Sequence, residues 1–206
     1  MSADDRVKGP GPRISALEEL VKAAAGKGRP PVERWNPPYC GDIGLAIRAD
    51  GTWTYRGSPI GRLPLVKLFA SVLIREPDGR FFLVTPAEKV DVAVADAPFL
   101  AVEMEARGHG DGQKITFRTN VDDIVDVGCE TPLCFTKTPD GGLKPYVRVR
   151  GRLEALVSRA LVYDLVELAL EAAPVNPGGH PGLWSGGQFY PLERPSGPSE
   201  GGDEEP

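Results

Sequence analysis

Four Asp-Gly pairs punctuate this chain: Asp50-Gly51, Asp78-Gly79, Asp111-Gly112 and Asp140-Gly141, each between strand-like runs. Asp-Gly is a strong hairpin signal, because glycine takes the positive φ of a tight turn and aspartate bonds nearby turn amides. A chain punctuated in this way folds into short antiparallel strands. The runs are Ile43–Arg48, Trp53–Arg56, Arg80–Val84, Val90–Val94, Phe99–Glu105, Lys114–Arg118, Ile124–Val127, Leu133–Lys137, Tyr146–Arg150 and Leu153–Val157. In the fourth, Val90, Val92 and Val94 alternate with Asp91 and Ala93, so one face is buried.

Three segments have helical periodicity instead. Ser15 and Glu18 read as a capping box, followed by Leu17, Leu20, Val21 and Ala24 on one face and a stop at Gly26. A second helix starts at Leu63-Pro64, carries Leu65, Val66, Leu68, Phe69, Val72 and Leu73, and is ended by Pro77. A third runs from Ser158 to Ala172 through Leu161, Val162, Leu165, Val166, Leu168 and Ala169, before Pro174. Strands followed by one closing helix point to an α+β class, mostly antiparallel sheet with about three helices. The expected division is a polar tail at 1–12, an N-terminal subdomain at 13–86, a C-terminal one at 87–192 and an acidic tail at 193–206. Gly51-Thr52-Trp53, Gly79-Arg80-Phe81 and Gly187-Gln188-Phe189 each put an aromatic just after a turn glycine, which hints at a repeated helix-then-hairpin unit.

Composition narrows the function classes. A net charge of −5 argues against nonspecific nucleic-acid binding, which needs a basic face. Cys40, Cys129 and Cys134 are odd in number and irregular in spacing, so they frame neither disulfides nor a structural zinc site. No apolar run reaches the ~20 residues of a bilayer span, and no secretory leader is apparent. The expectation is a soluble cytoplasmic protein with no cofactor, no bound metal and no nucleic-acid or membrane partner.

The residues best suited to a pocket cluster in Trp35-Asn36-Pro37-Pro38-Tyr39-Cys40-Gly41-Asp42, where two prolines stiffen a segment rich in aromatic and polar groups. Trp35, Tyr39, Trp53 and Trp184 offer aromatic faces, and stacking on a base contributes ~1–3 kcal/mol. Asn36 and Asn120 can read polar edges, and Lys89, Arg118, Arg148 and Arg150 can hold phosphate. Against this, Trp53 reads better as hairpin core, and Arg148 with Arg150 better as a solvated strand face. Asp96 reads as a residue fixing its own turn, and Gly108-His109-Gly110-Asp111-Gly112 as a hairpin tip lacking what a P-loop needs.

Several longer stretches resemble the bacterial family called domain of unknown function 1285: Trp35-Asn36-Pro37 with Cys40-Gly41-Asp42-Ile43, Asp50-Gly51-Thr52-Trp53, Leu65-Val66-Lys67-Leu68-Phe69, Leu83-Val84-Thr85-Pro86-Ala87-Glu88-Lys89-Val90, Phe117-Arg118-Thr119-Asn120-Val121, Pro145 to Gly151 and Leu183-Trp184-Ser185-Gly186-Gly187. The likeness runs from about Pro31 to Leu192. It implies two tandem related α+β subdomains, the second superficially like a pleckstrin-homology fold, with a ligand cleft between them. It also implies a nucleotide-like ligand and a signalling role. Gly44 stands where a second acidic residue is expected after Asp42-Ile43, which weakens a paired-carboxylate role for Asp42.

The resulting expectation is a non-enzymatic sensor. Its site draws on Trp35, Asn36, Pro37, Tyr39, Cys40 and Asp42, on Thr85, Glu88 and Lys89, on Arg118 and Asn120, and on Trp184. The alternatives are a protein-interaction module that binds by strand addition, and a small-molecule hydrolase using Asp42 with Glu88.

Overall fold

The computed structural model describes residues 12–24, 29–139, 141–172 and 181–192. The expected tails before residue 12 and after residue 192, the stop at Gly26, and Asp140 and His180 lie outside the described residues. The first half contains α1 (Pro12–Ala24), a 3-10 turn (Val32–Arg34), β1 (Tyr39–Ile47), β2 (Trp53–Tyr55), β3 (Ser58–Pro59), α2 (Leu63–Ser71), β4 (Leu73–Arg75), β5 (Phe81–Val84) and β6 (Lys89–Val94). The second contains β7 (Phe99–Arg107), β8 (Lys114–Thr119), β9 (Ile124–Asp126), β10 (Leu133–Lys137), β11 (Leu143–Arg150), β12 (Leu153–Val157) and α3 (Arg159–Ala172), then the hairpin β13 (Gly182–Ser185) and β14 (Gln188–Pro191).

The two halves share one topology. The first sheet has the order β3-β2-β1-β6-β5-β4 and the second β9-β8-β7-β12-β11-β10. In each, two antiparallel three-stranded meanders meet at a parallel central pair, β1 with β6 and β7 with β12. The repeat is therefore the whole six-stranded sheet rather than a helix-then-hairpin unit. The Gly-aromatic pieces fall in β2, β5 and β14, which are not equivalent positions. The chain leaves the first sheet after β6, so the strand at 89–94, which a boundary at 86/87 places in the second subdomain, belongs to the first.

The Asp-Gly turns connect equivalent strands. Gly51, Gly79 and Gly141 have φ of 77°, 89° and 81°. Each turn carries the same pair of backbone bonds, for example Arg48 N–H to Thr52 carbonyl with Gly51 N–H to Arg48 carbonyl. This is a type I turn closed by a glycine bulge. Asp50 and Asp78 side chains accept the amides two residues on, as turn aspartates do.

Each sheet is covered differently. In the first, α2 carries the chain from edge strand β3 to edge strand β4 and buries Leu65, Val66, Phe69 and Ala70. Ile14, Leu17 and Val21 of α1 are buried in the same core. In the second, β9 and β10 lie at opposite edges, yet the connecting loop folds back on itself through mutual Gly128 and Thr131 backbone bonds. A flat six-stranded sheet would separate those edges by ~24 Å, so this sheet curls. The β13–β14 hairpin seals it. Ser185, fully buried, donates its hydroxyl to the Val127 carbonyl and accepts the Ile115 amide. A Cβ on Gly186 would stand 3.0 Å from the Val127 oxygen, so glycine there admits a backbone rather than a ligand.

Three local expectations are corrected. The first helix begins at Pro12, so Ser15 is no cap, and Glu18 pairs with Lys22 and Arg62 instead. The second helix ends at Ser71, and Leu73 to Arg75 pair with β5 across the Asp78-Gly79 turn. Sheet pairing there outweighs a helical stripe that Val72 and Leu73 seemed to extend. Finally, Tyr39 to Asp42 are strand, not irregular chain; bulges at Gly41 and Gly44, with φ of 77° and 85°, hide the period of two.

Candidate functional site

The subdomains meet in a cleft of about 250 Å³. One wall comes from Arg29, Val32 and Glu33, which precede β1. A second is Ser71 with Leu73 to Pro77, around β4. The third is the β11–β12 hairpin, Arg150 to Leu153. Its floor is apolar and its rim bears four arginines, a local basic patch on an acidic chain.

Arg150 is the best-held of these. Its side chain is 16% exposed, and its guanidinium lies 5.0 Å from the Phe99 ring centre. One nitrogen donates to Asp123 Oδ2 at 2.6 Å and another to the Ala70 carbonyl. Arg29 donates to the other oxygen, Asp123 Oδ1, at 2.7 Å. Two guanidinium groups thus share one carboxylate. Burial, then the charge of Arg29, hold the Arg150 pKa below its ordinary value, against the pull of Asp123. An arginine stays charged at neutral pH regardless, and beside the shared Asp123 the only other carboxylate acting on Arg150 among the described residues is that of Glu33, which makes no ion pair with it.

Arg75 lies 3.4 Å from Glu154 and over the Phe81 ring, and Glu76 accepts from Lys89. Arg152 is exposed and has no hydrogen bond or ion pair among the described residues. The Ser71 hydroxyl is spent on the Leu68 carbonyl at 2.6 Å. These side chains can hold an anion. None of them forms a nucleophile–base pair of the kind covalent catalysis requires.

None of the residues expected to form the site lines this cleft; of the phosphate-holding candidates weighed from sequence, Arg150 does. Trp35 is half-buried, and its amide caps the 3-10 turn at the Val32 carbonyl; Asn36 is exposed and Pro37 half-buried. Tyr39 donates to Asp91 and meets Phe82 edge-on. The Asp42 carboxylate accepts the Gly44 amide at 2.6 Å and so fixes the bulge. Cys40 is exposed, with its thiol directed at the Pro38 carbonyl. Thr85 is fully buried, and its hydroxyl organises the turn to Glu88 by bonding the Ala87 and Glu88 amides and the Glu88 carbonyl. Lys89 pairs with Glu76 and sits over Phe82. Since Tyr39 and Lys89 are register partners, the first two candidate groups do come together, at the start of β1 and β6.

The remaining candidates stand apart from them. Arg118 is held by Glu103 and Asp122. Asn120 exchanges bonds with the Leu100 backbone and abuts Gly51, just past the far end of β1. A strand of this length puts Tyr39 and Gly51 roughly 25 Å or more apart. Trp184 packs against Phe189 in the sealing hairpin, 5.4 Å between ring centres. Trp53 is core, 1% exposed. Asp96 does not serve its own turn; it accepts from Lys144 and Tyr146 of β11. Arg150 is no solvated residue, because the first subdomain covers that end of the strand's outer face.

The family model for the N-terminal domain of DUF1285, a domain of unknown function, matches residues 30–97, and that for its C-terminal domain matches residues 98–192. The chain belongs to the DUF1285 family. A crystal structure of a DUF1285 protein from Silicibacter pomeroyi DSS-3 is 44% identical, covers 93% of this chain and 96% of its own, and superposes with a TM-score of 0.77. One from Shewanella baltica OS155 is 30% identical, covers 61% of this chain and 92% of its own, and gives a TM-score of 0.49. No curated protein matches the chain. The DUF1285 domain models meet at residues 97 and 98, where the chain passes from the first sheet to the second.

Sequence reasoning missed Arg29, Glu33, Arg75, Arg152 and Asp123 in this DUF1285 chain. Only one signal pointed to them, the run Arg148-Val149-Arg150-Gly151-Arg152, whose turn glycine has a φ of 49° and returns two arginines to one end of the sheet.

Proposed function

We propose that the protein is a cytoplasmic, non-enzymatic sensor whose inter-subdomain cleft binds a small nucleotide-like molecule by its phosphate. The observation that carries this reading is the sharing of Asp123 by Arg29 and Arg150 at an open cleft. An anion seated there answers the second guanidinium, and planar arginine forks suit phosphate oxygens. The volume, about 250 Å³, is below the ~300–1,000 Å³ of a drug-sized pocket, so the phosphate and its neighbouring atoms enter while the rest of the ligand lies outside.

A signalling role follows from position. The ligand touches both subdomains, so its binding energy acts on their contact. The second subdomain, six strands followed by α3, is superficially pleckstrin-homology-like in this reading. Cys40, Cys129 and Cys134 are all exposed, and three exposed cysteines fit a reducing compartment; no helix among the described residues is long and apolar enough to cross a membrane.

A thermal-shift screen against nucleotides and sugar phosphates tests the proposal, with chromatography to follow the ligand. A ligand at ~100 times its Kd adds about 2.7 kcal/mol of stability. A shift with the ligand intact is the expected result. A consumed ligand replaces the sensor with an enzyme, and no shift across the panel removes the cleft from consideration.

A further inference from the structure

Taking the nucleotide reading above as given, we infer that the ligand's base is read by main chain, by the N–H and C=O of Arg75 on the free edge of β4, at the rim of the cleft.

β4 is the last strand of its sheet, so one of its long sides has no neighbouring strand among the described residues. Which groups face that side follows from the ladder with β5. Val84 donates its amide to the Val72 carbonyl, and Glu76 donates its amide to the Arg80 carbonyl. With Ile74 opposite Phe82, the hydrogen-bonded pairs are 72 with 84, 74 with 82 and 76 with 80. Leu73 and Arg75 fall between these and turn both N–H and C=O away from β5. The cleft meets this edge side-on, because Leu73, Ile74, Arg75, Glu76 and Pro77 line it in unbroken succession. A cleft over one face of a strand would meet alternate residues only.

Leu73 is 1% exposed, which seals its main-chain groups in. Arg75 is half-buried, and its main chain has no hydrogen bond among the described residues. One donor and one acceptor therefore stand side by side at the rim. An unpaired edge attracts another strand, but a peptide added here would find a single residue to pair with, far short of the ladder that strand addition uses. The complement of one residue's N–H and C=O is a rigid edge that carries an acceptor beside a donor. The Watson–Crick edges of nucleobases are of this kind. A phosphate held by Arg29 and Arg150 leaves the rest of the ligand to cross the rim, where Arg75 stands.

The test is calorimetric titration of the full chain with ribose 5-phosphate and with the four common nucleoside 5′-monophosphates, whose essential addition is a base, beside residue-resolved amide exchange. The tightest nucleotide is expected to bind at least about tenfold better than ribose 5-phosphate. The Arg75 amide should exchange quickly in the free chain and gain protection with that nucleotide but not with ribose 5-phosphate. Arg75→Pro removes the N–H at an edge position that tolerates proline, and should cut the gain below about threefold. Arg75→Ala loses the same Glu154 contact but keeps the N–H, and should retain the gain. Should the proline variant fail to fold, the exchange measurement on the wild type decides alone. Ribose 5-phosphate that binds as well as every nucleotide, an Arg75 amide that stays unprotected, or folded proline and alanine variants that behave alike overturn the base reading and leave the anion site standing. If neither inorganic phosphate nor any nucleotide binds, both readings fall.

Discussion

Arg150, in the second subdomain, donates a hydrogen bond to the main-chain carbonyl of Ala70, in the last turn of α2 in the first. Carbonyls at a helix C-terminus have no partner within the helix, and a cation there also meets the negative end of the helix dipole. One side chain therefore closes a helix, braces Asp123 and faces the cleft. The candidate site and the joint between the subdomains are built from the same residue.

Replacing that residue should cost stability as well as binding. Arg150→Met leaves the Ala70 carbonyl with only the Val72 amide at the helix cap and Asp123 with Arg29 alone. A loss of about 2–3 kcal/mol in urea unfolding is expected, somewhat below the ~3–5 kcal/mol for breaking a fully buried ion pair because Arg29 remains. Arg150→Lys keeps the charge but cannot reach Asp123, Ala70 and Phe99 at once, so it should fall between Arg150→Met and the wild type.

Gly51 and Gly57 offer a matched pair. Both have positive φ, 77° and 81°. A Cβ on Gly51 would come within 2.8 Å of the Asn120 amide nitrogen and 3.1 Å of Leu100, whereas one on Gly57 meets nothing within 4 Å. Gly57→Ala should therefore show only the left-handed backbone cost of about 1–2 kcal/mol. Gly51→Ala should cost clearly more, because it also pushes the subdomains apart where Asn120 clamps Leu100. Equal melting temperatures for the two variants would show that this contact carries no weight.

Ser185→Ala removes a buried hydroxyl that serves two backbone groups, Val127 carbonyl and Ile115 amide. Stranding them should cost about 1–3 kcal/mol. Amide exchange should quicken first along β13 and β14, while the first subdomain keeps its protection.

Acid should weaken the fold through a defined set of carboxylates. Hydrogen bonds from Arg118 hold Glu103 below its usual 4.5, and those from Lys67 and Arg118 hold Asp122 below 3.8. Burial works against the charge of Asp96, yet hydrogen bonds from Lys144 and Tyr146 outweigh it and keep this carboxyl low as well. The Tyr146 phenol is pushed up to about 12 by burial and by Asp96. Each carboxyl binds its proton less readily folded than unfolded. Their stabilisation is complete above the unfolded values and disappears as pH drops through the lower, folded ones. Melting temperature should hold from neutrality to about pH 5 and fall steadily below it, and Asp96→Asn should flatten that slope.

The fold was largely legible from sequence because hairpin chemistry is local. Asp50-Gly51, Asp78-Gly79 and Gly141 act at the positions where they stand, so β2, β5 and β10 beside them could be placed to within a residue, while β1 and β11 begin three or four residues earlier than expected and β4 was not foreseen. What was hidden depends on distant partners. Leu73 to Arg75 look helical until β5 returns alongside, and β13 and β14 form only because β8 and the Val127 loop offer them a seat. The site was harder still. Arg29 and Arg150 are far apart in the chain and converge only through Asp123, and no spacing rule links the three. Conversely, Asp42, Thr85 and Asn120 caught the eye as polar residues in motifs, and the structure employs each in holding a bulge, a turn or a joint.

Titration of inorganic phosphate into the wild-type chain and into Arg152→Glu tests the cleft most directly. Arg152 is exposed and makes no contact that the fold depends on, so the variant changes the charge of the cleft and little else. The account predicts one phosphate bound per wild-type chain and an affinity at least about tenfold weaker in the variant. A wild type that binds no phosphate, or a variant that binds it equally well, would contradict the claim that these arginines form an anion site.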